Sequence, residues 1–294
     1  MRALVTGATG FVGGHLARRL IADGDEVHVI VRQGSSVSRI PQGASTHVYD
    51  GTCASLVAAI RAAPPALVYH VAGQFVDRHE PEQIDELIRN NVLFTTQLAE
   101  AMDAVGAPHF VNVGTSWEHF EDEDYNPVNL YAASKHASQT MLRWYAEARD
   151  LKVSTLKLFD TYGPDDRRDK IWTRLARMAG KPTRLSMSPG RQLIDLVHIE
   201  DVVGALKAAG CALLRGEEPA PEGYAVSSGQ PRPLREIVEI FERLAETPFD
   251  IDWGGRPYRP REVMSTWTQG AAPPLWRPKV SLEDGVRALL AEYV

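Results

Sequence analysis

The stretch TGATGFVGGHL, residues 6–16, follows directly on the apolar run ALV and opens a segment of helical period. Gly7, Gly10 and Gly13 stand in it at GxxGxxG spacing. Glycines so placed serve a sharp strand-to-helix turn, let backbone approach a diphosphate, and allow helix and strand to pack closely. The helix N-terminus then offers unpaired N–H groups and the positive end of its dipole to an anion. The reading is a dinucleotide-binding turn made of Gly7, Thr9, Gly10, Phe11, Val12 and Gly13, the first strand-turn-helix unit of an α/β chain.

Working outward, the apolar runs RALVT, EVHVI, ALVYH, HFVNVG and VSTLKLF alternate with stretches of helical period such as HLARRLIADG and NLYAASKHASQTMLRWYAEAR. Runs apolar on both sides suit a parallel sheet covered by helices on both faces. The fold class predicted is α/β, a Rossmann-type doubly wound parallel sheet with a smaller C-terminal substrate lobe. Ile84, Leu87, Ile88, Leu98 and Met102 recur at three- and four-residue spacing, which predicts a stripe facing the sheet. After residue 163, Pro and Gly cluster in KPTRLSMSPGRQ, RGEEPAPEG and WGGRPYRPRE. The division expected is a cofactor-binding domain over 1–162, which carries the catalytic residues, and a substrate lobe over 163–294. The two interleave at about 191–228, where LIDLVHIEDVVGAL and YAVSSG read as strand and helix returning to the main sheet.

The 294 residues, 44% of them hydrophobic, suffice for a large core. Thirty-two Lys plus Arg against 38 Asp plus Glu give a net charge of −6 with no basic block, so no nucleic-acid partner is expected. No apolar run reaches the roughly 18 residues of a membrane span, and MRALVTGATG lacks the features of a signal peptide. The expectation is a cytoplasmic protein with a small-molecule partner. Cys53 and Cys211 match no metal spacing, the histidines are scattered, and EDEDY at 121–125 reads as a solvated loop, so no metal site is expected.

At the end of the second strand, where an acidic residue would bond the ribose hydroxyls of NAD, stand Arg32 and then Ser35. A guanidinium suits a 2′-phosphate, so NADPH/NADP+ is expected over NADH. Asp50, followed by Gly51, is placed to bond the adenine amine, and Val71, Ala72 and Gly73 to carry backbone past the cofactor's middle. Thr115 and Ser116 end the strand FVNVGT, where ligands bind in such folds. In YAASK, Tyr131 and Lys135 lie one helical turn apart on one face. A phenol titrates near pH ~10, so an ammonium beside it is expected to tune it as acid or base. Together these residues predict hydride transfer with acid catalysis. Trp117 and His119, directly after the hydroxyls, are expected to line the substrate pocket. Arg256 and Arg261 have the donor geometry for phosphate.

These motifs resemble the extended short-chain dehydrogenase/reductase family in its epimerase/dehydratase branch, nearly end to end. TGATGFVGG resembles its cofactor turn, NNVLFTTQLAEA its N-V-x-x-T helix, GTS and YAASK its Ser/Thr-Tyr-Lys group, and IDLVHIEDV its D-x-V-H-x-x-D stretch. The resemblance implies that Tyr131 is the acid/base and that Lys135 bonds the nicotinamide ribose and lowers the Tyr pKa. Ser116, with Thr115 close by, would bond the substrate carbonyl, and Asn91 would support the site. It further implies substrate contacts from Phe159, Asp160 and Thr161 and from the second lobe, and a homodimer through the helices carrying Asn91 and Tyr131. GTSWEHF and LKLFDTYGPDDRRDK are similar to reductases of nucleotide-linked 4-keto-6-deoxyhexoses of the CDP-abequose type. Lys157 and Asp160 replace the Arg and Asn common before YGP, and Ile194 replaces an Arg before the Asp of D-x-V-H. Those positions help hold a nucleotide diphosphate in the family, so an aglycone ketone stands as the alternative acceptor. An epimerase or dehydratase is a further alternative, with Glu118 as the acid a dehydratase would use.

Overall fold

Strands that are apolar on both sides have to be sandwiched between helical layers, and this chain builds such a sheet. A computed structural model describes residues 1–181 and 183–293. Strands β1 (Arg2–Thr6), β2 (Glu26–Arg32), β3 (Ser45–Tyr49), β4 (Leu67–His70), β5 (His109–Thr115) and β6 (Lys152–Leu158) come first in the chain. Short strands β7 (Asp160–Tyr162), β8 (Leu185–Met187), β9 (Leu193–Ile194), β10 (Leu196–His198), β11 (Tyr224–Val226), β12 (Arg232–Pro233) and β13 (Ile251–Trp253) follow. The main sheet has seven strands in the order β11-β6-β5-β4-β1-β2-β3, all its pairings parallel. The order reverses between β1 and β4, which opens a crevice at the carboxyl ends of the strands, the place where such folds bind ligands.

Helices α1 (Phe11–Ala22), α2 (Cys53–Ala62), α3 (Ile84–Ile88), α4 (Phe94–Val105), α5 (Leu130–Arg149), α6 (Ile171–Gly180), α7 (Ile199–Leu214), α8 (Leu234–Ala245) and α9 (Leu282–Leu290) complete the chain. One face of the sheet is covered by α1 and α7 through Leu16, Leu20, Val202 and Leu206. The other is covered by α2, α4 and α5 through Leu56, Ile60, Leu98, Met102 and Leu142. A third core, around Trp172, Leu175, Ile237, Phe241, Val286 and Leu289, joins α6, α8 and α9 over the small strands. Both α7 and β11 therefore carry second-half sequence back to the main sheet. Among the described residues no helix is long and apolar enough to cross a membrane.

One stripe breaks where the periodicity predicts continuity. Leu87, Leu98 and Met102 are buried, but Ile84 and Ile88 are exposed. Between α3 and α4 the chain makes a π-helical turn, Arg89–Leu93, whose extra residue per turn changes which side of the helix faces the sheet. The acidic run at 121–125 also departs from expectation. Asp122 is not simply solvated: it accepts from the Thr268 N–H and hydroxyl, both at 2.7 Å, and so pins the C-terminal segment to the main domain.

Candidate active site

Two joined cavities lie at the carboxyl edge of the sheet. The first, about 530 Å³, runs along the glycine turn. Gly7 has φ +75, and a Cβ added to Gly13 would lie 2.3 Å from the Gly7 carbonyl oxygen, so turn and helix meet at backbone contact. The N-terminus of α1 begins at Gly10 without a side-chain cap and without an acid in its first turn. Such a bare N-terminus behind a glycine turn fits the diphosphate of a dinucleotide. The wall takes in Gly7, Thr9, Gly10, Phe11, Val12, Gly13, Arg32, Ser35, Val71, Ala72 and Gly73. Asp50 and Gly51 are not on it. The Asp50 carboxylate turns back to accept from the N–H and hydroxyl of Thr52 at 2.9 and 2.6 Å, so its acceptors serve the start of α2. Arg32 is exposed and bonds Asn90 Oδ1 at 3.0 Å, with Glu86 3.9 Å away; both partners also line the cavity.

Thr115, Ser116, Tyr131 and Lys135 stand at the inner end of this cavity. Helix α5 starts at Leu130 because Asn129 caps it, accepting from the Ala132 N–H at 2.9 Å, and this sets Tyr131 and Lys135 on its sheet-facing side. Burial pushes the Tyr131 phenol well above its ordinary range, and the Glu118 charge adds to the effect. Burial pulls the Lys135 amine down to about 8, with Glu118 opposing. The lowering of the phenol expected from Lys135 does not appear: the opposing charge is Arg168, burial outweighs it, and Tyr131 stays protonated.

Asn91, in the π-helical turn, is fully buried behind the cavity wall. Its amide donates to Ser134 Oγ at 2.9 Å and to the Gln74 carbonyl at 3.1 Å, while its Oδ1 accepts from the Gln74 N–H at 2.7 Å. A buried polar chain runs on from it. Thr95 donates to the Asn91 carbonyl at 2.7 Å, so the Nε2–H of His70 donates to Thr95 at 2.8 Å. His70 Nδ1 then accepts from Thr6 at 2.8 Å, and Thr6 accepts from the Ala72 N–H at 3.2 Å. Burial and the Lys135 charge hold His70 neutral, as this directional chain requires.

The turn after β5 is a capping box: Thr115 Oγ1 accepts from the Trp117 N–H at 3.3 Å, and Glu118 Oε1 accepts from the Thr115 N–H at 3.0 Å. Glu118 is fully buried, 3.4 Å from Lys157 Nζ and 3.4 Å from His136 Nδ1. Burial pushes this carboxyl up, but His136, Lys157 and the Thr115 N–H more than offset it and hold it below the usual range. Lys157 also donates to His119 Nε2 at 2.7 Å, and His119 Nδ1 donates to the Glu123 carbonyl at 2.9 Å. The His119 ring stacks on Trp267 with centroids 4.0 Å apart. Lys157 thus faces the interior of the sheet edge and lies on neither cavity wall. Its departure from the family's Arg is structural here and gives no ground for an unusual acceptor.

The second cavity, about 440 Å³, lies under the second lobe. It shares Phe75, Ser116, Trp117, Phe159, Asp160 and Lys170 with the first. Phe75 packs edge-on against Tyr131 at 5.0 Å and tilts against Trp117 at 5.6 Å. His119, Ile194, Arg256 and Arg259 complete the wall. Thr161 lines the first cavity and donates to the Phe159 carbonyl at 3.2 Å. Arg261 is on neither wall. Its guanidinium bonds Asn126 and lies 4.3 Å from the Phe120 ring centroid. The cations that sequence reasoning missed are Lys170, which sits 3.8 Å over the Phe75 ring, and Arg259, which bridges Asp77 and Glu262 at 2.5 and 2.8 Å beside Trp117. Arg168, 4.5 Å over the Phe11 ring and bonded to Asp166, was missed as well. The basic residues of YGPDDRRDK were the available signal for two of the three.

A model of the NAD dependent epimerase/dehydratase family matches residues 3–221. The chain is 26% identical to CDP-abequose synthase of Salmonella muenchen over 99% of this chain and 97% of that protein. It is also 26% identical to UDP-glucose 4-epimerase of Mycolicibacterium smegmatis, over 97% and 96%. Among solved structures, the Thermus thermophilus UDP-glucose 4-epimerase in complex with NAD superposes with a TM-score of 0.84 at 25% identity, covering 100% of this chain and 99% of that one. With the family match running from β1 through α7, and so through the glycine turn and the Ser116–Tyr131–Lys135 group, the chain belongs to the NAD dependent epimerase/dehydratase family of NAD(P)-dependent enzymes.

Proposed function

We propose that the chain is an NADPH-dependent ketoreductase acting on a 4-keto-6-deoxyhexose carried on dTDP or CDP. The observation that carries this reading is the pairing of a Ser116 hydroxyl, on the wall shared by both cavities and without a partner among the described residues, with a protonated Tyr131 on the first, while Glu118 is held by other groups. A ketone reduction needs one proton donor and one hydrogen bond at the carbonyl oxygen. A dehydration would need a carboxyl group free beside them, and Glu118 is committed to the Thr115 N–H, Lys157 and His136.

NADPH, when bound along the glycine turn, supplies the hydride for the carbonyl carbon. Ser116 orients the carbonyl oxygen and Tyr131 delivers its proton there. Asn91 holds the Gln74 and Ser134 positions that back the site, and Lys135, behind Gly73, refills the charge balance as the phenol ionises. The second cavity suits the carrier: Lys170, Arg256 and Arg259 supply cations for a diphosphate. A CDP-abequose synthase among the relatives accords with this choice of substrate. The aglycone alternative draws on Ile194 and on the aromatic wall of Phe75 and Trp117.

Loss of NADPH absorbance with dTDP- and CDP-linked 4-keto-6-deoxyglucose, beside a bulky uncharged ketone, tests the proposal. Stoichiometric NADPH consumption with a nucleotide sugar is expected. Turnover of only the uncharged ketone would give the aglycone reading the lead, and sugar interconversion without net NADPH consumption would make the enzyme an epimerase.

A further inference from the structure

The segment after β7 crosses back over the glycine turn. His15 Nε2 donates to the Pro164 carbonyl at 3.1 Å, Arg18 reaches Asp165 at 3.3 Å, and the Arg168 guanidinium lies 4.5 Å from the Phe11 ring centroid. His15, Arg18 and Phe11 all belong to α1, so residues of the second lobe roof the start of the helix that backs the diphosphate site.

Within this roof Arg168 is held on one edge and offers the other. Asp166, whose side chain is 1% exposed, accepts from Arg168 Nε at 2.7 Å and from Nη2 at 2.8 Å. The second N–H of Nη2 donates to the Thr161 carbonyl at 2.9 Å. A guanidinium carries five N–H donors in a rigid planar fork. Those on Nε and Nη2 are thus committed, while Nη1 has no partner among the described residues, although Arg168 stands on the wall of the first cavity with Gly10 and Phe11. Stapling the segment to α1 needs only the ring contact and Asp166, and leaves Nη1 without a role. Because Asp166 balances the charge, what Arg168 presents is a pair of directed donors at contact range.

Such donors, beside an uncapped helix N-terminus, suit phosphate oxygens. The side of approach selects the phosphate. In doubly wound folds the end of β2 meets the adenosine ribose. Arg168 instead hangs from Thr161, which follows β6, and β6 lies on the other side of β1 from β2, beyond β4 and β5. We propose that Arg168 donates through Nη1 to the nicotinamide-side phosphate of the bound dinucleotide, so that a residue of the second lobe completes the site begun by the glycine turn. This concerns cofactor binding alone and holds whichever carbonyl is reduced.

The test measures dissociation constants of NADPH, NADH, ADP-ribose and AMP by calorimetry, without substrate, for the parent and for Arg168→Met. NADPH, NADH and ADP-ribose all keep the nicotinamide-side phosphate and should weaken by a common factor of about ten- to a hundredfold, the range for a lost hydrogen bond to a charged group. AMP lacks that phosphate and should stay within about twofold of the parent. Arg168→Met leaves the buried Asp166 carboxylate unpaired, so a double variant, Asp166→Asn with Arg168→Met, is measured beside it and should show the same pattern with no stranded charge. Unchanged affinity for NADPH, NADH and ADP-ribose in either variant, once folded, overturns the inference. So does a loss confined to NADPH and NADH, which puts Arg168 at the nicotinamide, or an equal loss with AMP, which makes Arg168 a prop of the turn.

Discussion

Burial acts on Tyr131 and Lys135 in opposite directions, raising the phenol and lowering the amine. A phenol pushed up stays protonated at neutral pH, and an amine pulled to about 8 can pass between its two forms near working pH. Tyr131→Phe should bind NADPH as the parent does and lose about 10²–10⁴-fold in kcat, measured under saturating cofactor. Retention of more than half the parent's kcat would show that the proton comes from elsewhere. Lys135 also leaves a signature in stability. With a pKa of about 8 when folded against 10.5 in the unfolded chain, it binds fewer protons folded than unfolded between those values. Stability of the protein without cofactor should therefore rise with pH from about 8 towards 10, and Lys135→Met should flatten that rise in urea titrations. At the other end of the cavity, Arg32 is shared with Asn90 and Glu86, so its charge is partly spent before any 2′-phosphate arrives. Glu86→Gln should tighten NADPH relative to NADH, and Arg32→Asp should abolish the preference, a loss of roughly ten- to a hundredfold in relative dissociation constants.

At the level of elements, the turn after β5 carries a residue whose role the sequence spelled out in a different code. Thr115-Ser116-Trp117-Glu118 is the T-x-x-E pattern of a capping box, which commits the glutamate to backbone. Lys157 was legible on similar grounds: a lysine within a strand covered on both faces must be buried, and a buried ammonium needs a carboxylate on a neighbouring element. Lys157→Met should cost about 3–5 kcal/mol in urea unfolding because it strands the Glu118 charge, and adding Glu118→Gln should recover most of that loss. The glycine turn and the start of α5 were readable because each is a local event, with strand, cap and helix contiguous in the chain. The fate of Ile84 and Ile88 was not, since a π-helical turn comes from one residue more than the α-helical ladder needs and leaves no mark in composition.

Over the whole molecule, the parallel sheet and its two helical layers followed from alternating apolar runs, whereas the order of the strands and the second cavity's cations did not. The segment from Gly254 to Leu275 is largely irregular, so no period says which arginine points inward. Arg259 reaches the cavity and Arg261 turns to Asn126 only because of how that segment crosses the main domain. Arg259→Ala should raise KM for the nucleotide sugar by about tenfold or more with a smaller change in kcat, while Arg261→Ala should leave KM near the parent's. The two lobes are stitched by such contacts, among them Arg259 with Asp77, Thr268 with Asp122, and His15 with the Pro164 carbonyl. Beneath them runs the buried chain from Ala72 through Thr6, His70 and Thr95 to Asn91. Each of its three side chains has one donor and one acceptor already assigned, so changing any one strands a neighbour, and even replacing all three together by apolar residues leaves the Ala72 N–H without the Thr6 oxygen. Its members therefore act as a set: a residue on the rim of the cavities can change by itself, whereas a change at Thr6, His70 or Thr95 is felt along the whole chain from Ala72 to Asn91.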